Sequence, residues 1–133
     1  QLAAGAIAAI EAAGGTVHRI AVPGILEIPA TLQFAIEGKG DPETNRMFDG
    51  GIVLGCAIKG ETDHYEHVCT ESLRGTQDVA LAHAFPVGNG ILTCPTRALA
   101  EDRADVARKD FGGKAAIACL RLISIRSELG VEP

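Results

Sequence analysis

An α/β fold with a parallel sheet is predicted by three observations. Short apolar, β-capable runs at residues 51–57 and 85–93 each leave through a turn of small or polar residues into a helical pattern. Helical and strand patterns alternate along the chain, as they do where strands lie side by side through helical crossovers. The apolar fraction is 47%, yet only 4% of residues are aromatic and there is no Trp, so the core must be built from Ala, Ile, Leu and Val. At 133 residues, one domain spanning 1–133 is expected, long enough to bury a real core.

The elements follow in order. Residues 2–13 are alanine-rich, and Ala3, Ala6, Ile7, Ile10 and Ala13 recur at helical spacing until Gly14-Gly15 ends the pattern. Residues 16–22 place Val17, Ile20 and Val22 around His18 and Arg19 and predict a strand, with His18 at its surface or edge. Pro23-Gly24 turns the chain, and Pro29 suits the first turn of a helix running to about Ile36. Residues 39–49, KGDPETNRMFD, predict a polar connection. The run 51–57 predicts a buried strand, Gly60 a turn, and residues 64–84 a helix. Its inward face would carry Val68, Cys69, Leu73, Thr76, Val79 and Ala80. Thr62 or Asp63 can cap that helix, Asp63 and Glu66 having capping-box spacing. A strand at 85–93 ends at Pro95-Thr96, which caps a helix running through Arg103. A charged stretch, 105–113, closes on Gly112-Gly113 before a last helix over 114–129. On it Ile117, Leu120 and Ile123 form one stripe and Leu122 and Ile125 another, so it packs on more than one side. Three strands make a thin sheet for so much apolar helix, and the chain opens almost directly on a helix. Both lead to the expectation of a further strand ahead of Gln1.

Charge and motif content narrow the chemistry. A formal charge of −5, without a Lys/Arg cluster, argues against nucleic acid or a membrane surface as partner. No apolar run approaches 18 residues. Cys56, Cys69, Cys94 and Cys119 show no CxxC spacing and read as reduced core thiols of a cytoplasmic protein. A strand that feeds a helix through a polar turn brings free amides to the carboxyl edge of the sheet, where open α/β sheets bind ligands. There His64 is the strongest proton-transfer candidate, since imidazole titrates near working pH. The residues leave a locally satisfied helix-start histidine open beside that reading. His67 and Glu66 without a distant third ligand do not make a metal site. The amides around Glu61-Thr62, with the Thr62 hydroxyl, form a candidate phosphate cradle. A cation must complete it, from among Arg103, Arg97, Lys59, Lys109 and Lys114. GxGxxG and GxxxxGK[ST] are absent, so neither dinucleotide nor Walker-type nucleotide binding is expected. Glu27, alone in an apolar phrase, is either a helix-dipole partner or cap, or a ligand contact. Tyr65 stands where it can cover the mouth of a pocket.

PGILEIP at 23–29, DGGIVLGCAIKGETDHYEHV at 49–68, GILT at 90–93, AEDRAD at 100–105 and GGKAA at 112–116, in this order, resemble the 6,7-dimethyl-8-ribityllumazine synthase family across essentially the whole chain. The resemblance implies a flavodoxin-like, three-layer αβα domain whose parallel sheet runs 2-1-3-4, the first strand lying outside this sequence. It also implies homopentamers, in some members sixty-subunit shells, with active sites at subunit interfaces. The reaction it implies condenses 5-amino-6-(D-ribitylamino)uracil with 3,4-dihydroxy-2-butanone 4-phosphate, releasing phosphate and water, with no cofactor or metal. Carried over by position, His64 matches the acid/base histidine, Arg103 the phosphate-clamping arginine, and Glu61-Thr62 the phosphate-binding turn. Ile25, Leu26 and Glu27 match the ribityl-binding segment, and Ala57 and Ile58 the strand exit along the pyrimidine. Asn89 stands where a neighbouring subunit contacts the ring, often through an aromatic residue. Lys114 matches a lysine that approaches across the same interface, with Lys109 its rival because the segment after Arg103 is longer than usual. Lys59 replaces the usual Arg, keeping the charge without its fork geometry, and Asp102 replaces a common Glu. In the 2-1-3-4 order the first strand is internal, so without it a gap flanked by unpaired backbone groups is expected beside the next strand. The alternative to a working synthase is an inactive homologue that binds a ribityl- or flavin-type ligand or builds a shell.

Overall fold

The computed structural model describes residues 1–60 and 64–131, His64 only by its place in a helix. Among these, two strands, β1 (Gly51–Ile58) and β2 (Val87–Cys94), pair in parallel from Gly51↔Val87 to Ile58↔Cys94. Five α-helices accompany them: α1 (Leu2–Ala12), α2 (Ile28–Glu37), α3 (His64–Ala82), α4 (Arg97–Ala104) and α5 (Phe111–Glu128). A 3-10 turn at Ile25–Glu27 leads into α2, with Pro29 in the first helical turn. No helix is long and apolar enough to cross a membrane among the described residues.

Alternation along the strands builds the layers. Val53 and Ile91 point to one face, where they bury Ile28 and Leu32 of α2 with Val79 of α3 beside them. Ile52 and Leu54 point to the other, against Ala6 and Ile10 of α1 and Ala116 of α5. Leu92 and Cys94 continue that second face and meet Ala100 of α4, with Leu2 and Phe111 alongside. With both faces covered, β1 is a near-continuous apolar run rather than an alternating one.

Residues 16–22 do not form the expected strand. Among the described residues no backbone hydrogen bond ties them to β1, whose paired neighbour is β2 alone. A strand exists only through its ladder, and β propensity without a partner does not make one. The segment is held by side chains instead. His18 faces Asp41 at 3.7 Å and packs on the ring of Phe48. Between it and β1 lie two cavities: one of about 230 Å³ on the α2 side and one of about 320 Å³ on the α1 side.

Three further expectations change. The last helix begins at Phe111 rather than Lys114, so Gly112-Gly113 lies inside it. Asp110, at φ 45°, caps it by accepting a hydrogen bond from the Gly113 amide at 3.1 Å. The glycines serve close packing: a Cβ on Gly112 would collide with the Leu2 carbonyl, and one on Gly5 with the Asp110 carboxylate. On α3, Leu73 is 38% exposed, and the inward stripe runs Cys69, Ser72, Thr76. Small residues are needed there because Pro29 of α2 approaches so closely that a Cβ on Gly75 would lie 2.9 Å from its ring. Ser72 returns its hydroxyl to the Val68 carbonyl at 2.6 Å. All four cysteines are free, and three are buried, but Cys56 is exposed.

Candidate functional site

A parallel pair ends both strands on one edge, and here that edge gathers most of the marked residues. β1 finishes at the half-buried Ala57 and the exposed Ile58. The Lys59 amide then donates to the Cys94 carbonyl at 3.0 Å, carrying the pairing one residue further. After a short connection His64 opens α3, whose N-terminus therefore turns the positive end of its dipole toward the edge. Glu61, Thr62 and Asp63, and with them the expected phosphate turn and cap, lie outside the described residues, as does the His64 side chain.

Tyr65 follows in the first turn of the helix. Its phenol lies beside the side chains of Thr93 on β2 and Cys69 on α3. Burial first, and the Cys69 thiol second, hold this phenol above its ordinary range, so it keeps its proton. Burial likewise raises the Cys69 and Cys56 thiols. Tyr65, which the sequence places where it can cover a pocket mouth, thus sits where the first turn of α3 meets the end of β2.

On one flank stands the 3-10 turn. Ile25 sits directly on β1 because residue 55 is glycine, a Cβ there falling 2.5 Å from the Ile25 side chain. Leu26, 48% exposed, and Glu27 face outward from the same turn. Glu27 makes no side-chain cap on α2, so the capping reading of this acid is not realised. On the other flank, Thr96 caps α4 by accepting from the Leu99 amide at 3.2 Å. The last turn of α4 carries Arg103, whose Nη1 donates to Cys94 Sγ at 3.1 Å. That contact was missed in the sequence, where Cys94 read only as a core thiol; its place as the last strand residue before a Pro-Thr cap was the available signal.

Two residues stand apart from this group. Asn89 precedes Cys94 by five strand positions, about 16 Å at the usual rise. It is exposed, and its side-chain oxygen accepts from the Ile91 amide at 2.9 Å. Lys114, one turn into α5, is exposed and holds its ammonium 5.1 Å from the centre of the Phe111 ring. One chain thus assembles Ile25, Leu26, Glu27, Ala57, Ile58, the start of α3 and Arg103, and leaves Asn89 and Lys114 outside that cluster. The edge is a shelf of exposed and half-buried side chains, whereas a third cavity, of about 400 Å³, lies near Gly14, His18 and Asp41. No group of three His, Cys, Asp or Glu side chains can hold a metal among the described residues.

An apolar shelf (Leu26, Ile58) with a carboxylate, a helix N-terminus and a guanidinium suits a ligand that joins an apolar part to an anion. Comparison with known proteins gives that description a family. A family model described as 6,7-dimethyl-8-ribityllumazine synthase matches residues 1–127. The 6,7-dimethyl-8-ribityllumazine synthase of Paramagnetospirillum magneticum is 45% identical over 130 residues, covering 98% of this chain and 87% of that one. That of Azorhizobium caulinodans is 50% identical over 126 residues, covering 95% and 76%. That of Xanthobacter autotrophicus is 47% identical over 129 residues, covering 97% and 77%.

Proposed function

The chain belongs to the 6,7-dimethyl-8-ribityllumazine synthase family, and we propose on that premise that it condenses 5-amino-6-(D-ribitylamino)uracil with 3,4-dihydroxy-2-butanone 4-phosphate to 6,7-dimethyl-8-ribityllumazine, phosphate and water. The observation that carries the reading is the meeting, at one sheet edge, of the Ile25–Glu27 turn, the start of α3 at His64 and the guanidinium of Arg103.

Each part has a role in that chemistry. Ile25, Leu26 and Glu27 receive the ribityl chain, whose hydroxyls need a polar partner on an otherwise apolar surface. Ala57 and Ile58 lie along the pyrimidine. The α3 amides, Glu61-Thr62 and Arg103 take the phosphate: helix-end amides and a guanidinium are preorganised donors for an anion. They stabilise the charge that grows on it as it leaves. His64 moves protons while the amine adds to the ketone, water departs to give the imine, phosphate is eliminated, and ring closure expels a second water. Neither metal nor cofactor is called for. Asn89 and Lys114 join the site from a neighbouring copy, in a homopentamer that itself works as a soluble cytoplasmic enzyme of single-domain subunits.

The test is turnover of the two substrates by the purified protein, followed by the absorbance of the lumazine. Product is expected, and His64→Ala is expected to lower kcat by about a hundredfold or more. Absence of product from the intact protein would sink the reading.

A further inference from the structure

Arg103 is surrounded in sequence by acids, Glu101, Asp102 and Asp105, yet its guanidinium meets a thiol. The acids are turned elsewhere: Glu101 pairs with Arg97 at 3.0 Å, and Asp102 and Asp105 both pair with Arg108, at 3.5 and 3.8 Å. Cys94, fully buried at the last position of β2, accepts from Nη1 at 3.1 Å. A carboxylate in that place would neutralise the arginine and compete with any incoming anion. A thiol sulfur is a weak acceptor, so it orients the guanidinium without cancelling its charge. The contact also uses one nitrogen of a planar fork with five N–H donors, and a fork grips a phosphate with two nitrogens at once.

We propose that Cys94 is a positioning residue for Arg103, holding the guanidinium at the carboxyl edge through Nη1 while Arg97 and Arg108 keep the neighbouring carboxylates off it, so that the remaining N–H groups meet the substrate phosphate. This rests on the assignment of Arg103 to the phosphate given above. Cys94 touches no substrate; it sets where the charge waits. Loss of the contact should therefore weaken recognition of the phosphate substrate and leave the pyrimidine untouched.

Steady-state kinetics on the purified, assembled protein separate the possibilities, each substrate being varied in turn for the wild type and for Cys94→Ser, Cys94→Val and Arg103→Ala. Cys94→Val fills the space without an acceptor and is expected to raise KM for the phosphate substrate about two- to tenfold, the factor one such hydrogen bond is worth. KM for the pyrimidine and kcat should hardly move, and inorganic phosphate should inhibit less well by the same factor. Cys94→Ser, which keeps an acceptor, should restore both constants toward the wild type. A merely structural role predicts otherwise: Ser and Val would behave alike, or all constants would drift together with the melting temperature. Either result, or an unchanged KM in Cys94→Val, overturns the proposal. Arg103→Ala tests the underlying assignment independently. If it leaves KM for the phosphate substrate and inhibition by inorganic phosphate unchanged, Arg103 is not the clamp and the parent reading of this residue fails, whatever Cys94 does.

Discussion

Along one flank β1 pairs with β2 through eight consecutive positions, and both faces of that pair are covered by helices. Along its other flank the same strand faces residues 16–22 across cavities of about 230 and 320 Å³, with Val17 and Ile20 still 43% and 49% exposed. The local sequences on both flanks are apolar and β-branched. What differs is hydrogen-bond partnership. Where a ladder forms, side chains are fixed to alternate faces and pack to interior density; where it does not, similar residues stay half-wet and rest on side-chain contacts such as His18 with Asp41. Stability in this molecule should therefore be concentrated on the β2 flank.

The sharpest way to break that comparison is at Gly88, where a side chain would collide with the Ala115 carbonyl and reach 3.1 Å from Cys119 Cβ. Gly88→Val drives a side chain into a backbone carbonyl on the paired flank and is expected to remove more than about 4 kcal/mol, seen as loss of the cooperative unfolding transition. Leu92→Ala, at a side chain 3% exposed, should cost about 3 kcal/mol in urea titration by leaving a cavity. A smaller effect comes from pH. Burial raises the Cys119 thiol, which donates to the Pro86 carbonyl at the head of β2. The folded chain thus holds a proton that the unfolded chain releases. Its contribution is fully present below the ordinary thiol value of 9.0 and is lost as pH rises above it. The urea midpoint should fall between pH 8 and 10.5, and less steeply in Cys119→Ala. Least of all, Val17→Thr on the unpaired flank should change stability by under about 0.5 kcal/mol. A loss there as large as that of Leu92→Ala would overturn the contrast.

Most of the helices and both strands were legible because their signals are local: alanine-rich periodicity in α1, Pro29 in the first turn of α2, the Thr96 cap of α4, and two apolar runs. The candidate site was legible for a similar reason, since strand exits and helix starts lie close in sequence and parallel topology brings them to one edge. What escaped depends on distant partners. Residues 16–22 have the composition of a strand, but composition says nothing about whether a neighbour is there to pair. Gly112 and Gly113 read as terminators, yet the demand they meet is the carbonyl of Leu2, at the other end of the chain. Leu73 outranked Ser72 on apolarity, and the closeness of Pro29 reversed the order. Arg103 was marked for its charge and its place in the family resemblance, while its acceptor sits on a strand nine residues earlier.

The contact between α1 and α5 bears on how the molecule is made. Gly5 meets Asp110 and Gly113, and Leu2 meets Gly112, so the first helix docks on the last across nearly the whole described chain. The equilibrium penalty for so long a loop is modest, since each doubling of loop length adds only about 0.6 kcal/mol. The kinetic consequence is larger, because non-local contacts are the slow ones to find. During synthesis α1 emerges well before α5 and must wait, its apolar stripe uncovered, until α5 has left the ribosome. The short alanines and glycines that allow the final close approach also leave α1 with little greasy surface to expose meanwhile.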